Sequence, residues 1–181
     1  MNTAFHALTG LAIGQTAASR LLEAEREEPA PHIPDDARAL YVRVAAYTFL
    51  LCVMSHGVLD GLPHEYPLRA LGDTLWTLGL VFGWMLFIQP RFRPLLVIAF
   101  LGAELPDLID HVPRDLNRHL HLNLPVLPKL FPWHYRGGSG SLSGHVPPMA
   151  RIASLVNHVI VVTFAATLMW LSRNALRAGP R

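Results

Sequence analysis

Residues 54–67, MSHGVLDGLPHEYP, set Ser55, His56, Asp60, His64 and Glu65 within a dozen positions at the end of an apolar run, FLLCV. His56 and Asp60 are four apart, the spacing that puts two side chains on one helical face. A second polar group ends another apolar run. In GAELPDLIDHVP, Glu104, Asp107 and His111 stand at i, i+3 and i+7, with Asp110 beside them. Imidazole nitrogens mixed with carboxylate oxygens suit a divalent metal ion such as zinc, manganese or iron, whereas an all-oxygen set suits magnesium or calcium. Three to five such groups with an open position lower the pKa of water at the ion to about 7, which is the equipment for hydrolysing an ester or phosphoester. Taken singly, each group has a plainer reading as a helix end meeting water or as a hydrogen-bonded neighbour. Cys52 is the sole cysteine, so neither a disulfide framework nor a thiolate metal site is available.

The elements that must carry these groups are unusually apolar. Hydrophobic residues make up 51% of the 181 and charged residues only 15%, with mean hydropathy +0.31. Soluble domains carry about a quarter charged residues, so the deficit points to a membrane protein. Net charge is +2 with the basic residues scattered, and no basic patch interleaved with aromatics is present, so nucleic acid is excluded as a partner. Ten histidines against one lysine and fourteen arginines form the odd feature of the composition. Five apolar segments stand out, at Thr3–Leu22, Leu40–Leu62, Thr74–Ile88, Pro94–Asp110 and Ile152–Leu171. The fifth has no charge and the length of about 20 residues that crosses a hydrocarbon core. The first lacks a charged leader and reads as a retained helix rather than a signal peptide. No strand-like alternation is sustained. The expected fold is therefore all-α, a single multi-pass transmembrane bundle of about five helices over residues 1–181. Residues 23–38 form a solvated loop, QPRFRP a tight turn, and residues 111–151 a long extramembrane loop rich in Pro, Gly, Ser and His with a flexible GGSGSLSG tail.

Five spans sort the chain onto two sides. Nine of the fifteen basic residues fall on the side of the loop after the first span, the QPRFRP turn and the C-terminus, and six on the other. The positive-inside rule makes the first side cytoplasmic. His6, His56, Asp60, Asp107, Asp110, His111 and, less firmly, His158 then gather toward the non-cytoplasmic face. Pro106 removes a backbone donor and kinks its helix, as tolerated where a polar cavity is lined. His64 lies close to the opening pair. His119, His121, His134 and His145 lie in loops, where they either reach the site or face water. Trp76, Trp133 and Trp170 fit interfacial positions.

The early histidine of FHALTGLAIG, then SHGVLDGLPHEY, then GAELPDLIDH, in that order, resemble the membrane-bound metal-dependent hydrolases of bacteria. These are small multi-helix proteins marked by an N-terminal histidine, a Ser-His-x-x-Leu-Asp element followed by Pro-His, and a Leu-Pro-Asp element. The resemblance covers residues 1–112. It implies His6, His56, Asp60 and Asp107 as the core metal group, with His64, Asp110 and His111 in support. The chain departs from the family in lacking a clear His-Arg-Gly-x-x-His-Ser element, of which HYRGGSGSLSGH (134–145) is a stretched echo. The expectation is a multi-pass protein of the inner membrane with its site on the non-cytoplasmic face. It would hydrolyse a lipid or other amphipathic phosphoester, with Asp110 or Glu104 as general base. The alternative is a non-catalytic subunit of a larger membrane complex, its third and fifth spans being packing surfaces on membrane-protein partners and histidines such as His158 ligating pigment or haem. A soluble phospholipase-like enzyme fits the ligand types but not the uncharged Ile152–Leu171 stretch.

Overall fold

The first helix is the hub of the bundle. In a computed structural model describing residues 3–27, 34–65, 70–135, 140–142 and 146–176, α1 (Thr3–Glu27) packs against four helices. These are α2 (Pro34–Gly61), α3 (Ala70–Phe87), α4 (Arg93–Asp110) and α6 (Pro148–Leu171). A short α5 (Val112–Leu120) follows α4 directly. His145 and most of the GGSGSLSG run lie outside the described residues, among which no strand occurs. Among the described residues the all-α expectation is met, with six α-helices.

Small residues set how closely α1 approaches α4. Gly10 and Gly14 are four apart, and a Cβ at either would come within 2.9 Å of the Cβ of Ala103 or Ala99. Such small-residue pairs let backbones meet where lipid supplies no hydrophobic drive. The polar side chains of α1 find partners across the bundle. Gln15, fully buried, donates to the Met169 carbonyl at 2.7 Å and accepts from Trp84 Nε1 at 2.8 Å. At the other end, Asp73 of α3 accepts the backbone N–H groups of Thr3 and Ala4 at 2.8 and 3.2 Å, so one helix caps another. These buried polar groups lower the hydropathy of α1 although it is the most enclosed helix.

The bundle's exterior is apolar. Leu50, Met54 and Val58 of α2, Trp76, Phe82 and Leu86 of α3, and Leu155, Val159 and Phe164 of α6 are all exposed. Two helical stretches, Arg38–Gly61 and Pro148–Leu171, are long and apolar enough to cross a membrane. With 18 residues each, α3 and α4 rise about 27 Å, just short of a hydrocarbon core of about 30 Å.

Boundaries differ from the apolar segments where helix signals extend beyond hydrophobicity. Past Leu22, α1 runs on to Glu27, supported by the Arg20–Glu23 pair at 3.0 Å. Proline at N1 opens both α2 and α6 several residues before their apolar runs. The link 111–151 is only partly irregular, since α5 occupies its first quarter and Pro132–His134 form a 3-10 turn. α5 has its own signals: proline in its first turn with Asp115, and Arg118 and His119 in its last.

Candidate metal centre

Two helix ends and a loop bring together four candidate metal ligands. His56 and Asp60 project one turn apart from the last turns of α2, Asp107 from the last turn of α4, and His134 from the 3-10 turn. One ligand atom of each lies within 4.8 Å of the others. His56 Nε2 is 3.3 Å from Asp60 Oδ2, 3.3 Å from His134 Nε2 and 3.7 Å from Asp107 Oδ1. His134 Nε2 is 3.2 Å from Asp60 Oδ2 and 3.3 Å from Asp107 Oδ1. Atoms about 2.0–2.2 Å from a tetrahedrally bound zinc lie about 3.3–3.6 Å from each other, so these separations are those of a ready coordination shell.

Surrounding groups fix which nitrogen faces the centre. His56 Nδ1 donates to the Ala103 carbonyl at 2.5 Å, leaving the Nε2 lone pair inward. His134 Nδ1 donates to Asp110 Oδ2 at 2.8 Å, which likewise turns its Nε2 inward, toward Asp60 and Asp107. Carboxylate–histidine pairs of this kind set tautomer and ring orientation in metal sites. Asp110 also accepts the backbone N–H groups of Leu130 and Phe131 at 2.8 and 3.0 Å, so one side chain anchors the loop and aims its histidine. Burial works to lower the His134 pKa, but hydrogen bonds to Asp107, Asp60 and Asp110 outweigh it and push the group up to about 9.

The loop is seated by a close approach. The Trp133 ring lies against Gly57, where a Cβ would stand 2.6–2.8 Å from three ring carbons. The Lys129 ammonium donates to the His134 carbonyl, and the Tyr135 hydroxyl donates to the Lys129 carbonyl at 2.6 Å. Farther on, Gly140 N–H donates to the Asp60 carbonyl at 2.7 Å, and His64 exchanges backbone bonds with Gly140 and Leu142 at 3.0 and 2.8 Å. Access is one-sided. The side chains of His56, His134 and Asp60 are at most 9% exposed, while Asp107 is 23% and its neighbour His111 39% exposed.

Of the residues singled out in the sequence, His56, Asp60 and Asp107 meet in the four-ligand group. His6 stands next to it rather than in it: its Nε2 is 3.2 Å from Asp60 Oδ1, and its ring stacks on His56 at 3.8 Å and 11°. His111 borders the mouth, with Nε2 3.9 Å from Asp107 and its ring edge-on to His134 at 4.6 Å. His64 is fully buried below Asp60, its Nδ1 donating to the Leu62 carbonyl at 2.7 Å. Asp110 is occupied with orienting His134. Glu104 is buried, with no hydrogen-bond partner for Oε1. His158 packs on Phe5 at 4.4 Å, away from the four ligands. His119 and His121 are exposed.

His134 is the candidate ligand that sequence reading did not single out from the other loop histidines. Its signal was present, because it is the first residue of HYRGGSGSLSGH, the stretch that echoes the missing histidine element. No family model, curated protein or solved structure matches this chain.

Proposed function

We propose that the protein is a membrane-bound, metal-dependent hydrolase acting on a lipid or other amphipathic phosphoester. The carrying observation is the preformed His56–Asp60–Asp107–His134 shell, with both imidazole Nδ1 atoms already engaged and both Nε2 atoms facing inward. Zinc, manganese or iron suits two imidazoles and two carboxylates. A divalent ion held there supplies Lewis-acid polarisation of a phosphoryl or acyl oxygen and acidifies water. The chain's own residues do the rest. Asp60 and Asp107 balance the ion's charge, and Asp107 with His111 forms the open side by which substrate enters. Asp110, saturated by three donors, holds His134 in place. Glu104, buried one turn before Asp107 on α4, and His111, beside Asp107 at the open side, are the candidate proton-transfer groups. The apolar exterior and the site's place at the helix ends support a multi-pass protein of the inner membrane whose substrate carries its phosphate at headgroup depth.

The test is elemental analysis of detergent-purified protein together with phosphatase assays on phosphatidic acid and on p-nitrophenyl phosphate. Near-stoichiometric metal is expected in the wild type and its loss in His56→Ala, Asp107→Asn and His134→Ala, with loss of turnover. Equal metal content in all four proteins would end the assignment. Bound metal without turnover on any phosphoester would favour a non-catalytic membrane subunit.

A further inference from the structure

The α5 hairpin, residues 112–131, has both legs fixed at the metal centre and its tip uncovered. One leg begins immediately after His111, and the other ends where Leu130 and Phe131 donate to Asp110. The turn between them is closed by Asn117, whose side chain donates to the Leu124 carbonyl at 2.7 Å and accepts the Leu124 N–H at 2.6 Å. His121 and Asn123, both with positive φ, complete it. The hairpin is thus an ordered element outside the long helices, yet Leu120, Leu122, Val126, Leu127 and Leu130 are all exposed. Water would penalise five large aliphatic side chains in one short stretch. Cationic side chains are interleaved with them. Arg114 and Arg118 are exposed and Lys129 half-buried, against a single acid, Asp115. Within α5, Val112, Leu116 and Leu120 are four apart on one stripe, with His119 at its edge and Arg114 and Arg118 on the opposite face.

We propose that this hairpin is an interfacial element that lies in the membrane surface beside the site and binds anionic phospholipid. Its aliphatic side chains enter the headgroup–acyl boundary, and Arg114 and Arg118 meet lipid phosphates, as basic amphipathic helices do. A phospholipid gathered there has its headgroup beside the mouth formed by Asp107 and His111. This inference rests on the membrane reading above and deepens it by naming the lipid class.

The test uses a Cys52→Ala background with single cysteines at Leu122 or Leu127, at Tyr47 or Val159 in the long helices, and at Glu25, labelled with an environment-sensitive fluorophore. The full chain is reconstituted in phosphatidylglycerol or phosphatidylcholine nanodiscs carrying 5-doxyl or 12-doxyl lipid. Hairpin labels should be quenched more by 5-doxyl than by 12-doxyl lipid and shielded from iodide, matching a depth of about 5–10 Å. Tyr47 and Val159 labels should favour 12-doxyl, and the Glu25 label should be open to iodide. Arg114→Glu with Arg118→Glu should reduce hairpin quenching in phosphatidylglycerol discs to the level seen in phosphatidylcholine. Iodide-accessible hairpin labels with lipid-quenched Tyr47 and Val159 labels would overturn the hairpin proposal alone, as would hairpin labels shielded from both quenchers by a protein partner. Unchanged quenching after the double charge reversal would overturn its preference for anionic lipid. Iodide-accessible labels at Tyr47 and Val159 would instead overturn the membrane reading.

Discussion

Replacing Gly57 with alanine sets two forces against each other, and the structure decides between them. Gly57 lies inside α2, where alanine ordinarily stabilises a helix by about 0.5–1 kcal/mol. Here the added methyl would meet the Trp133 ring at 2.6–2.8 Å. Carbon atoms rest at about 3.5–4.0 Å, so the ring must retreat by about 1 Å. Trp133 precedes His134 in the chain, and a ligand about 0.5 Å out of place already degrades a preorganised site. Overpacking of this kind costs about 1–3 kcal/mol, more than the propensity gain. The expected result is a 10- to 100-fold loss of zinc affinity in Gly57→Ala, read by competition with a chromophoric chelator, with a lower melting temperature. Adding Trp133→Ala removes the clash, so the double variant should bind more tightly than Gly57→Ala alone, a coupling that a double-mutant cycle isolates. Gly57→Ala with wild-type affinity and a raised melting temperature would refute the seating of Trp133 on α2.

Other predictions bear on the support around the ligands. Asp110→Asn keeps the shape but sets an amide among three donors, so zinc affinity should fall about 10- to 100-fold with the four ligands intact. The carboxylates around His134 push its pKa up to about 9, above the ordinary 6.5, and the ring must be neutral to ligate. Its imidazolium contacts therefore stabilise the metal-free fold fully below about 6.5, and that contribution is lost as pH rises through 9. Metal binding runs the other way, so zinc binding at pH 7 should release about one proton, measured by calorimetry in buffers of different ionisation enthalpy, and that release should shrink as the pH is raised through 9. Gly14→Leu forces a branched side chain between α1 and Ala99 of α4 and should destabilise the bundle by at least about 1–3 kcal/mol, seen as a lower melting temperature in detergent.

Much of the fold was legible because hydrophobic runs and helical spacing are local. The five apolar segments became α1, α2, α3, α4 and α6, and the His56/Asp60 and Asp107/His111 spacings led directly to neighbouring helix ends. What was hidden depended on partners far along the chain. That Gln15 and Asp73 belong inside is apparent only once Trp84, Met169 and the first turn of α1 are beside them. His134 sits on a segment without periodicity, and its selection over His119 and His121 depends on Trp133 finding a glycine and Asp110 accepting its ring N–H. His6 has the expected place beside Asp60, but its nearest role is to stack on His56. Helix ends went astray where charged sequence carried a helix past its apolar stretch, as at Glu27 and within α5.

His56 and His134 are 78 residues apart, and the shell they share joins the helical scaffold to the segment that roofs it. An ion at that junction works as a removable rivet. A free metal concentration of about a thousand times Kd would add about 4 kcal/mol to the assembled state, concentrated on a single seam rather than spread over the fold. Without a cation the roof should therefore loosen before the scaffold weakens, exposing residues 132–135 to proteases while the long helices stay packed.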